Sequence, residues 1–558
     1  MSRFALRLVS SLTALAVAQL ALAPAAHTCG CLVMPDPSQP VVQAGERIVF
    51  GVKNSTVEAH IQIKYQGDPK DFGWLLPLPS LPTMELGSEE LFSQLEAKTA
   101  PQFFLSQSFL GNCSGPSLGC GSSSSLSRAG GGFFPPSEDG TIPGSPLVVQ
   151  DSIGPYDYAV LKADDQTEML KWLNTNRYLV PAGTDAVLKP YIHSGAYLLA
   201  LKLKSGKSVG DLQPVVVRYT SDLPMIPIIL TSVAATPNMG IEVFVLGQGR
   251  AIPRNYNHTV INEAALDWNN FGQSYPALIN RAVAEAPKHH TFVTEFADKS
   301  GLMQGLLDPA GRFGDGPGLK ALTDPLDYAK YLRSHGFTYP FSGTLATILK
   351  AYIPEPAELV ASGVSDVEFY ANLDDQLLTW RQAYNKTPPA IDAAGLTDEI
   401  WKRIVTPTLA AGKLFTTYPY LTRMFTTLSP NDMTDDPVFS FNTGLPTVSN
   451  VHKVTMQVDC AGDGQVTTEE GFKVLYPNTA AGPAVAQVPA SLRIETLSET
   501  GAATVVTDNT AATQSLLGPA GGSGCRVGEA AAGSRGWSGV LLLTGLALVV
   551  AARARRRN

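Results

Sequence analysis

Two apolar segments near the N-terminus, RIVFGV at residues 47–52 and VEAHIQIKY at residues 57–65, have the composition of β-strands. Residues 57–65 also alternate between apolar and polar side chains, as a strand with one buried face does. The next segment, DFGWLLPLPSLPTMELG, carries Pro77, Pro79 and Pro82. These prolines exclude an interior strand or a helix at that place. We therefore expect the fold to begin with a β-rich region.

Further along the chain, strand and helix patterns follow one another. Strands are predicted at YLLALKL, QPVVVRYT and IEVFVLG, a return strand at VHKVTMQVD, and helices over 89–98 and 165–176. From about Tyr275 to Ser429 apolar residues recur at helical spacing, for instance in YPALINRAVAEA and GTLATILKAYI. The predicted fold class is α+β: a mixed, largely antiparallel β-rich N-terminal region packed with a mainly helical region, followed by a C-terminal segment of transmembrane type.

These patterns suggest six consecutive regions. They are a signal peptide (1–26), a β-rich region (27–274), a mainly helical region (275–445), a β-hairpin return (446–477), a low-complexity linker (478–535) and a transmembrane tail (536–558). Residues 111–146, which contain SSSS, GGG and PP, are predicted to form an exposed Gly/Ser/Pro-rich insertion within the β-rich region.

Composition excludes several classes of protein. With a net charge of −8, the chain lacks the basic balance that nucleic-acid binding requires, so no nucleic-acid partner is expected. The hydrophobic fraction of 44% is too high for a mostly disordered chain. Long uncharged apolar runs occur only near the two termini, which excludes a polytopic membrane protein.

The N-terminus predicts export. Arg3 and Arg7 form a basic segment, an apolar run follows from Leu8 to Leu22, and small residues near Ala26 offer a cleavage site. This is the order of features in a secretory signal peptide, and an uncleaved N-terminal anchor is the alternative.

The C-terminus resembles the MYXO-CTERM type of bacterial surface-sorting tag. A Gly/Ala/Ser-rich spacer with an isolated Cys525 leads to a short apolar run and to Arg555, Arg556 and Arg557. The resemblance implies a membrane partner, recognition by a sorting protease, removal of the tail, and retention at the cell surface, with Cys525 as the key residue. A plain C-terminal anchor helix is the alternative.

The cysteines predict a small number of local disulfides, which an exported protein can form. Cys113 and Cys120 bracket the loop CSGPSLGC and are expected to pair. Cys29 and Cys31 are too close in sequence to pair easily with each other, so one of them is expected to reach Cys460. A zinc site is the alternative, although C-x-C without a matching second pair is a weak signal.

The segment DCAGDGQVTTEE, residues 459–470, resembles a calcium-binding loop. Asp459, Asp463 and Glu470 fit positions 1, 5 and 12 of an EF-hand loop, but Ala461 at position 3 cannot bind a metal ion. The alternative is a β-hairpin in which an Asp-Gly turn supplies a positive φ. No cofactor is expected, unless this segment binds a calcium ion.

Other candidate chemistry is weaker. The adjacent His289 and His290 point to different faces of a helix or strand, so they would chelate a metal poorly together. No G-x-S-x-G motif is present, and VLGQGRAIP lacks the third glycine of a dinucleotide-binding turn. Carboxylate doublets, such as those at 164–165, 374–375 and 435–436, could form a glycosidase pair but are usually solvated turns or helix N-termini.

Taken together, several motifs resemble one bacterial family of exported proteins, domain of unknown function 2330. The motifs are CGCLVMPDPSQPVVQAGERIVF, HIQIKYQGDPKDFGWLLPLPSLP, IGPYDYAVL, WLNTNRYLVP, YLLALKL, LQPVVVRYTSDLPMIPIILTS and TRMFTTLSPNDMTDDPVFSFN. The similarity extends from Cys29 to about Cys460. It implies an exported protein of a shared fold, common in myxobacteria and their relatives, and it provides no catalytic residue.

Two functions remain as hypotheses. The first is an exported, cell-surface-anchored envelope protein that binds or scaffolds an unidentified extracellular ligand. The alternative is a secreted hydrolase of unfamiliar type that uses a carboxylate site. Asp and Glu side chains clustered in one deep cleft would favour the hydrolase.

Overall fold

The structure of the protein is a computed structural model. It describes residues 42–66, 73–110, 145–176, 178, 183–204, 211–270, 272–308, 311–314, 316–337, 343–478 and 485–517. All of these residues belong to one compact unit that ends at Leu517.

The strands of the described residues are assigned in chain order. They are β1 (Val42–Lys53), β2 (Thr56–Gln66), β3 (Gly73–Leu78), β4 (Thr83–Leu86), β5 (Gln102–Phe109), β6 (Leu147–Ile153), β7 (Tyr156–Lys162), β8 (Tyr197–Leu203), β9 (Val215–Thr220), β10 (Ala235–Gly247), β11 (Arg250–Pro253), β12 (Asn257–Ile261), β13 (Thr291–Lys299), β14 (Tyr420–Leu428), β15 (Phe439–Asn442), β16 (Val451–Val458), β17 (Gly464–Thr467), β18 (Lys473–Tyr476), β19 (Ser491–Thr496) and β20 (Thr504–Asp508).

The α-helices of the same residues follow the same order. They are α1 (Glu89–Thr99), α2 (Gln166–Thr175), α3 (Thr184–Leu188), α4 (Ile228–Thr231), α5 (Tyr275–Glu285), α6 (Gly316–Leu319), α7 (Pro325–Ser334), α8 (Thr344–Tyr352), α9 (Ala357–Ser362), α10 (Asp366–Ala371), α11 (Leu373–Tyr384), α12 (Ala393–Ile400), α13 (Thr406–Gly412), α14 (Leu414–Thr417) and α15 (Thr510–Leu517). A π-helical turn, Trp401–Val405, joins α12 to α13.

A ten-stranded mixed sheet organises the fold, with the strand order β20-β19-β12-β13-β14-β10-β1-β2-β9-β4. The two strands predicted at residues 47–52 and 57–65 form the antiparallel pair β1–β2 inside this sheet, and β1 also pairs in parallel with β10. Because side chains alternate along a strand, Ile48 and Phe50 of β1 lie on one face of the sheet and Val49 lies on the other. We call these the first and the second face.

The first face packs against a four-stranded antiparallel sheet, β3-β8-β7-β6. Trp74 and Leu76 of β3 are buried in this interface together with Leu201 of β8. Pro77 lies within β3, which is an edge strand, in agreement with the exclusion of an interior strand.

The second face packs against helices. Leu91, Phe92 and Leu95 of α1 are buried with Val49 and Phe244 of the sheet. Helix α1 begins after Ser88, whose side chain accepts a hydrogen bond from the Leu91 amide, so the first turn is capped as the sequence pattern requires. The predicted helix over 89–98 is confirmed.

A separate helical layer is formed by α6 to α12. Its core is a single apolar cluster that includes Tyr328, Leu349, Phe369 and Leu396, each of them fully or almost fully buried. The predicted helical region therefore contains a helical layer. It also contributes β13 and β14 to the middle of the ten-stranded sheet, which the helical pattern did not predict.

A second four-stranded sheet, β18-β17-β16-β5, packs with α5 around Trp268 and Leu278. Beyond it, residues 485–517 lie within the segment predicted to be a linker, but they form β19, β20 and α15. That part of the linker prediction is wrong, because Leu492 and Ile494 are buried strand residues that extend the main sheet.

The α+β class with largely antiparallel sheets is confirmed. Within the described part of the chain, no helix has the length and apolar character needed to cross a membrane. The predicted signal peptide (1–26), the Gly/Ser insertion except for its last two residues, and the predicted tail (536–558) lie outside the described residues.

Candidate functional site

A cleft opens where two parallel strands of the main sheet stop pairing. Strands β12 and β13 pair only at Asn257 with Thr291 and at His258 with Phe292, although both strands continue beyond these residues. The continuing segments, 259–261 and 293–295, then line a cavity of about 320 Å³. We call this cavity the β12–β13 cleft.

The position of the cleft follows from chain topology. Strand β12, helix α5 and strand β13 form a β-α-β crossover, and Leu278 of α5 lines the cleft together with Glu263, which lies two residues after the end of β12. In such units ligands often bind beyond the carboxyl ends of the strands, where backbone and loop groups converge. The opposite wall comes from β16 and β19.

A β-bulge brings Glu295 into this site. The register between β13 and β14 shifts between Thr294 and Phe296, which places the extra residue, Glu295, beside Arg423 of β14. Arg423 Nε lies 2.7 Å from Glu295 Oε2, and the Tyr275 hydroxyl donates a hydrogen bond of 3.0 Å to Oε1. Because Glu295 is only 4% exposed, burial raises the pKa of its carboxyl.

The Arg423 guanidinium extends this contact into a buried ion network on the second face. It lies 2.8 Å from Glu242, which in turn lies 2.6 Å from Arg47, and Arg47 lies 2.6 Å from Glu96. Burial raises the pKa of Glu242 to about 7. Two guanidinium groups thus hold three carboxyl groups, Glu295 included, at the base of the site.

A second group of polar side chains, from β11, β12 and β19, also lines the cleft. The Arg250 guanidinium donates to the Pro446 carbonyl at 3.3 Å and to Nε2 of His258 at 3.4 Å. Since a guanidinium cannot accept, Nε2 of His258 must be the unprotonated nitrogen. Nδ1 of His258 then carries the proton, and it lies 3.5 Å from Glu495. Burial lowers the pKa of His258, so the ring is neutral near pH 7.

Arg250 differs from the other charged groups of the cleft. Glu495 is paired with Arg493 at 2.9 Å, and the contacts with His258 and Arg493 lower the pKa of its carboxyl. Arg250 is 7% exposed, its Nε has no hydrogen-bond partner, and it forms no ion pair within the described part of the chain. Burial lowers the pKa of its guanidinium. Glu495 and Tyr420 oppose this lowering of the pKa by charge alone, so Arg250 is a guanidinium of the cleft without an ion-pair partner among the described residues.

Aromatic and apolar side chains complete the cleft. Phe103 stacks on the His452 ring at a centroid distance of 5.0 Å, and His452 Nδ1 lies 2.6 Å from a carboxyl oxygen of Glu263. Leu266, Leu278 and other aliphatic residues line the remaining surface. A ligand with one anionic group and an apolar body fits this combination of a buried guanidinium and apolar walls.

Comparison with known proteins identifies the family. Residues 23–306 match the family described as an uncharacterized protein conserved in bacteria (DUF2330). The chain belongs to the DUF2330 family. No curated protein and no solved structure matches the chain.

The match to DUF2330 covers part of the cleft. Arg250, His258 and Glu295 lie within the matched residues, whereas Arg423 and Glu495 lie beyond residue 306. The resemblance inferred from the sequence was drawn over a longer span, from Cys29 to about Cys460, and the family itself is confirmed.

In this DUF2330 protein, the segment predicted as a calcium loop forms a β-hairpin between β16 and β17. Asp459 accepts hydrogen bonds from the Ala461 and Asp463 amides, and Gly462 has the positive φ of 90°. Asp463 accepts from the amide of Asn478, so the hairpin engages the carboxylates of both aspartates.

The third predicted ligand, Glu470, is exposed and lies at the rim of the β12–β13 cleft. Among the described residues, no group of three His, Cys, Asp or Glu side chains is arranged to hold a metal ion. The structure therefore does not bring the predicted calcium ligands together as a metal site.

Cys460 lies in the same hairpin turn and is disulfide-bonded. Cys29, Cys31, Cys113 and Cys120 lie outside the described residues, so the predicted pairings stay predictions. The predicted sorting residues Cys525, Arg555, Arg556 and Arg557 also lie outside them.

The two adjacent histidines have structural contacts. His289 Nδ1 lies 2.9 Å from a carboxyl oxygen of Asp432, while His290 stacks on the ring of Tyr256 and contacts the Asp432 carbonyl oxygen. Asp436, from one of the carboxylate doublets, accepts from the Tyr191 hydroxyl and from the Ile229 amide. These groups hold a loop in place and do not line the cleft.

Sequence reasoning missed the residues that form the cleft. The sequence motifs include Arg250 only within the glycine-containing turn VLGQGRAIP, and none of them includes Glu295. A usable signal existed, because Glu295 and Arg423 each interrupt an apolar segment of strand composition, TFVTEFADK and YLTRMFTTL. A charged residue in such a segment indicates a buried pair or a site.

Proposed function

We propose that this DUF2330 protein is an exported envelope protein, tethered at the cell surface, that binds a small organic acid in the β12–β13 cleft. The observation that carries the binding proposal is Arg250. Its guanidinium is buried, lines the cleft and has no carboxylate partner among the described residues. A buried cation is costly without a counter-charge, and the carboxylate of a ligand supplies one.

The volume of the cleft limits the size of the ligand, and the side chains that line the cleft indicate its polarity. A volume of about 320 Å³ accommodates a ligand of roughly ten non-hydrogen atoms. The aliphatic side chains of Val260, Ile261 and Leu497 favour an apolar body rather than a sugar. Other carboxylates of the cleft, such as Glu295 and Glu495, are already paired with arginines, so they compete little for Arg250.

The binding proposal is tested by thermal unfolding with hexanoate and phenylacetate as probes, each at about 10 mM, against 1-hexanol as the neutral control. We expect at least one acid to raise the unfolding midpoint and hexanol to leave it unchanged. In Arg250→Met the shift is lost, whereas Arg254→Met, an exposed arginine four residues away, retains it.

Two results would contradict this proposal. One is that neither acid changes the midpoint of the wild-type protein, and the other is that the shift persists in R250M. Arg250→Met is expected to fold, because Arg250 forms no ion pair whose removal would leave a buried carboxylate alone.

Export and surface attachment rest on the sequence. The support is the basic and apolar N-terminal segment before Ala26, together with the spacer, Cys525 and the terminal arginines, which suit a sorting protease acting at the membrane. The test is the intact mass of the protein taken from its own cell envelope. A product that runs from near Ala26 to near Cys525 supports the proposal, and retention of Arg555–Arg557 contradicts processing of the tail.

One observation favours the alternative, a hydrolase. The cleft brings Glu263, Glu295 and Glu495 into one concave site, and burial raises the pKa of Glu295 towards the range in which a carboxyl can act as an acid. Hydrolysis of p-nitrophenyl esters or glycosides that is lost in Glu295→Gln, with hexanoate binding retained, would support it. If the protein binds hexanoate but hydrolyses none of these substrates, the result supports the binding function and contradicts the hydrolase.

A further inference from the structure

A second cavity lies between the main sheet and the smaller sheet β3-β8-β7-β6. It has a volume of about 180 Å³ and shares no lining residue with the β12–β13 cleft. Its walls are mostly apolar and include Ile48, Phe50, Ile61 and Leu76. The one acidic side chain that lines it is Glu46, and we call the space the Glu46 cavity.

Glu46 occupies an unusual position for a carboxyl group. It lies two residues before Ile48 in β1, so its side chain emerges on the first face, among the apolar residues of the sheet interface. It is 7% exposed, and its Oε2 has no hydrogen-bond partner. Within the described part of the chain it forms no ion pair with Lys, Arg or His.

The surroundings contain no charge that would offset this burial. Among the other lining residues, the ionisable side chains are those of Tyr191, His193 and Tyr219. The Tyr191 hydroxyl donates a hydrogen bond to Asp436, and His193 is exposed. Burial alone raises the pKa of Glu46 to about 7. A carboxyl that is held in an apolar cavity without a partner is a functional candidate, because its burial costs stability and no contact within the fold offsets that cost.

We propose that the Glu46 cavity binds a small primary amine with an apolar body, whose ammonium group pairs with the Glu46 carboxylate. Such a ligand is complementary to the cavity in polarity and in charge. The apolar walls take a hydrocarbon group, and a buried carboxylate without a partner takes the cation that would satisfy it. A cavity of about 150 Å³ holds a benzene ring, so this one accommodates a ligand of roughly eight non-hydrogen atoms.

This site is independent of the proposed function. The two cavities offer side chains of opposite charge to a ligand. The β12–β13 cleft offers the guanidinium of Arg250 and the Glu46 cavity offers a carboxyl, and neither group has an ion-pair partner among the described residues. The cleft could fail to bind organic acids while the Glu46 cavity still binds amines, and the reverse is equally possible.

The test uses benzylamine as the probe and the full chain as the protein. Binding is measured by isothermal titration calorimetry at pH 8, where the probe carries a positive charge, against benzyl alcohol, which has the same shape and no charge. We expect benzylamine to bind at least tenfold more tightly than benzyl alcohol, and Glu46→Gln to remove that preference.

A second measurement keeps the test independent of the folding of the variant. At pH 6 the Glu46 carboxyl holds a proton that an incoming ammonium group must displace, so benzylamine binding to the wild-type protein should weaken about tenfold. His193→Gln serves as the control, because the exposed imidazole of His193 also lines this cavity. The weakening should persist in H193Q.

Three outcomes would overturn the proposal. They are no binding of benzylamine at millimolar concentration, equal affinities for benzylamine and benzyl alcohol in the wild-type protein, and unchanged benzylamine affinity in a folded E46Q variant. Binding of hexanoate to the cleft affects none of these readings, so the two proposals fail separately.

Discussion

Arg423→Met probes the buried ion network beneath the cleft. Arg423 has a side chain that is 7% exposed and contacts Glu295 at 2.7 Å and Glu242 at 2.8 Å, both of them also buried. Methionine fills most of the volume of arginine but removes the charge. The two carboxyl groups would then lie in the interior next to an apolar side chain.

The expected loss of stability in Arg423→Met comes from the buried carboxyl groups that lose their partner. Removal of one partner of a buried ion pair destabilises a protein by about 3–5 kcal/mol, because the remaining charge stays uncompensated. Arg423 also lies over the Phe244 ring at 5.5 Å, a contact that contributes about 1 kcal/mol more. Arg47 continues to compensate Glu242 at 2.6 Å, which limits the loss. We therefore expect a decrease of about 4 kcal/mol in the free energy of unfolding.

The matched control is Arg254→Met. Arg254 lies 3.9 Å from Glu499, and the two side chains are 60% and 56% exposed. An exposed pair of this kind contributes at most about 1 kcal/mol, so the variant should unfold close to the wild type. Urea unfolding followed by tryptophan fluorescence and by circular dichroism measures both variants, and coincident transitions justify a single free energy.

The pH dependence of the same variant provides a second check. Without Arg423, burial raises the pKa of Glu295 further above its value in the unfolded chain. A carboxyl with a raised pKa in the folded state loses stability as pH rises through the range between the two values. R423M should therefore be more destabilised at pH 8 than at pH 5, and Glu295→Gln in the same background should recover part of the loss. A decrease as small as that of R254M, independent of pH, would refute the reasoning.

Three further predictions follow from single positions. Burial raises the pKa of Glu46 from 4.5 to about 7, which removes about 3 kcal/mol of stability as pH rises through that range. Glu46→Gln should thus unfold like the wild type at pH 4 but resist urea more strongly at pH 8, and equal pH dependence of the two proteins would contradict this. A Cβ at Gly51 would lie 2.5 Å from the buried Tyr418 ring, so Gly51→Ala should cost about 1–3 kcal/mol in urea unfolding. Gly412→Ala, where nothing lies within 4 Å, is its control, and equal stability of the two variants would contradict the prediction. Cys460 is disulfide-bonded, so peptide mapping without reduction should recover the Cys460 peptide joined to a second cysteine peptide. Recovery of Cys460 as a free thiol would contradict this prediction.

Local patterns predicted much of the secondary structure. The segment YLLALKL was predicted as a strand and is β8 (Tyr197–Leu203), and the helix predicted over 89–98 is α1 (Glu89–Thr99). These elements have a strong period and clear boundaries, so nearby residues are enough to specify them. The turn at Asp459 was one of two stated alternatives, and its own side chain closes the hairpin.

Strands β13 and β14 were not predicted from the local sequence pattern. Both lie inside a region whose flanking segments have helical spacing, and both carry a charged residue, Glu295 or Arg423, at a buried position. In a segment of strand composition such a residue indicates a buried pair or a site, but the segment does not identify the partner. In the fold it is stabilised by a partner more than one hundred residues away, which no local pattern can reveal.

From the amino-acid sequence alone came the α+β class, the family, most element positions and the expectation of export, because these depend on composition, on periodicity and on short motifs. Only the tertiary structure showed which buried charged side chains have an ion-pair partner among the described residues and which have none. Arg250 and Glu46 look ordinary in the sequence, and their significance lies in the lack of a partner in a buried cavity. That property depends on side chains brought together from distant segments, and it exists only once the sheets have packed.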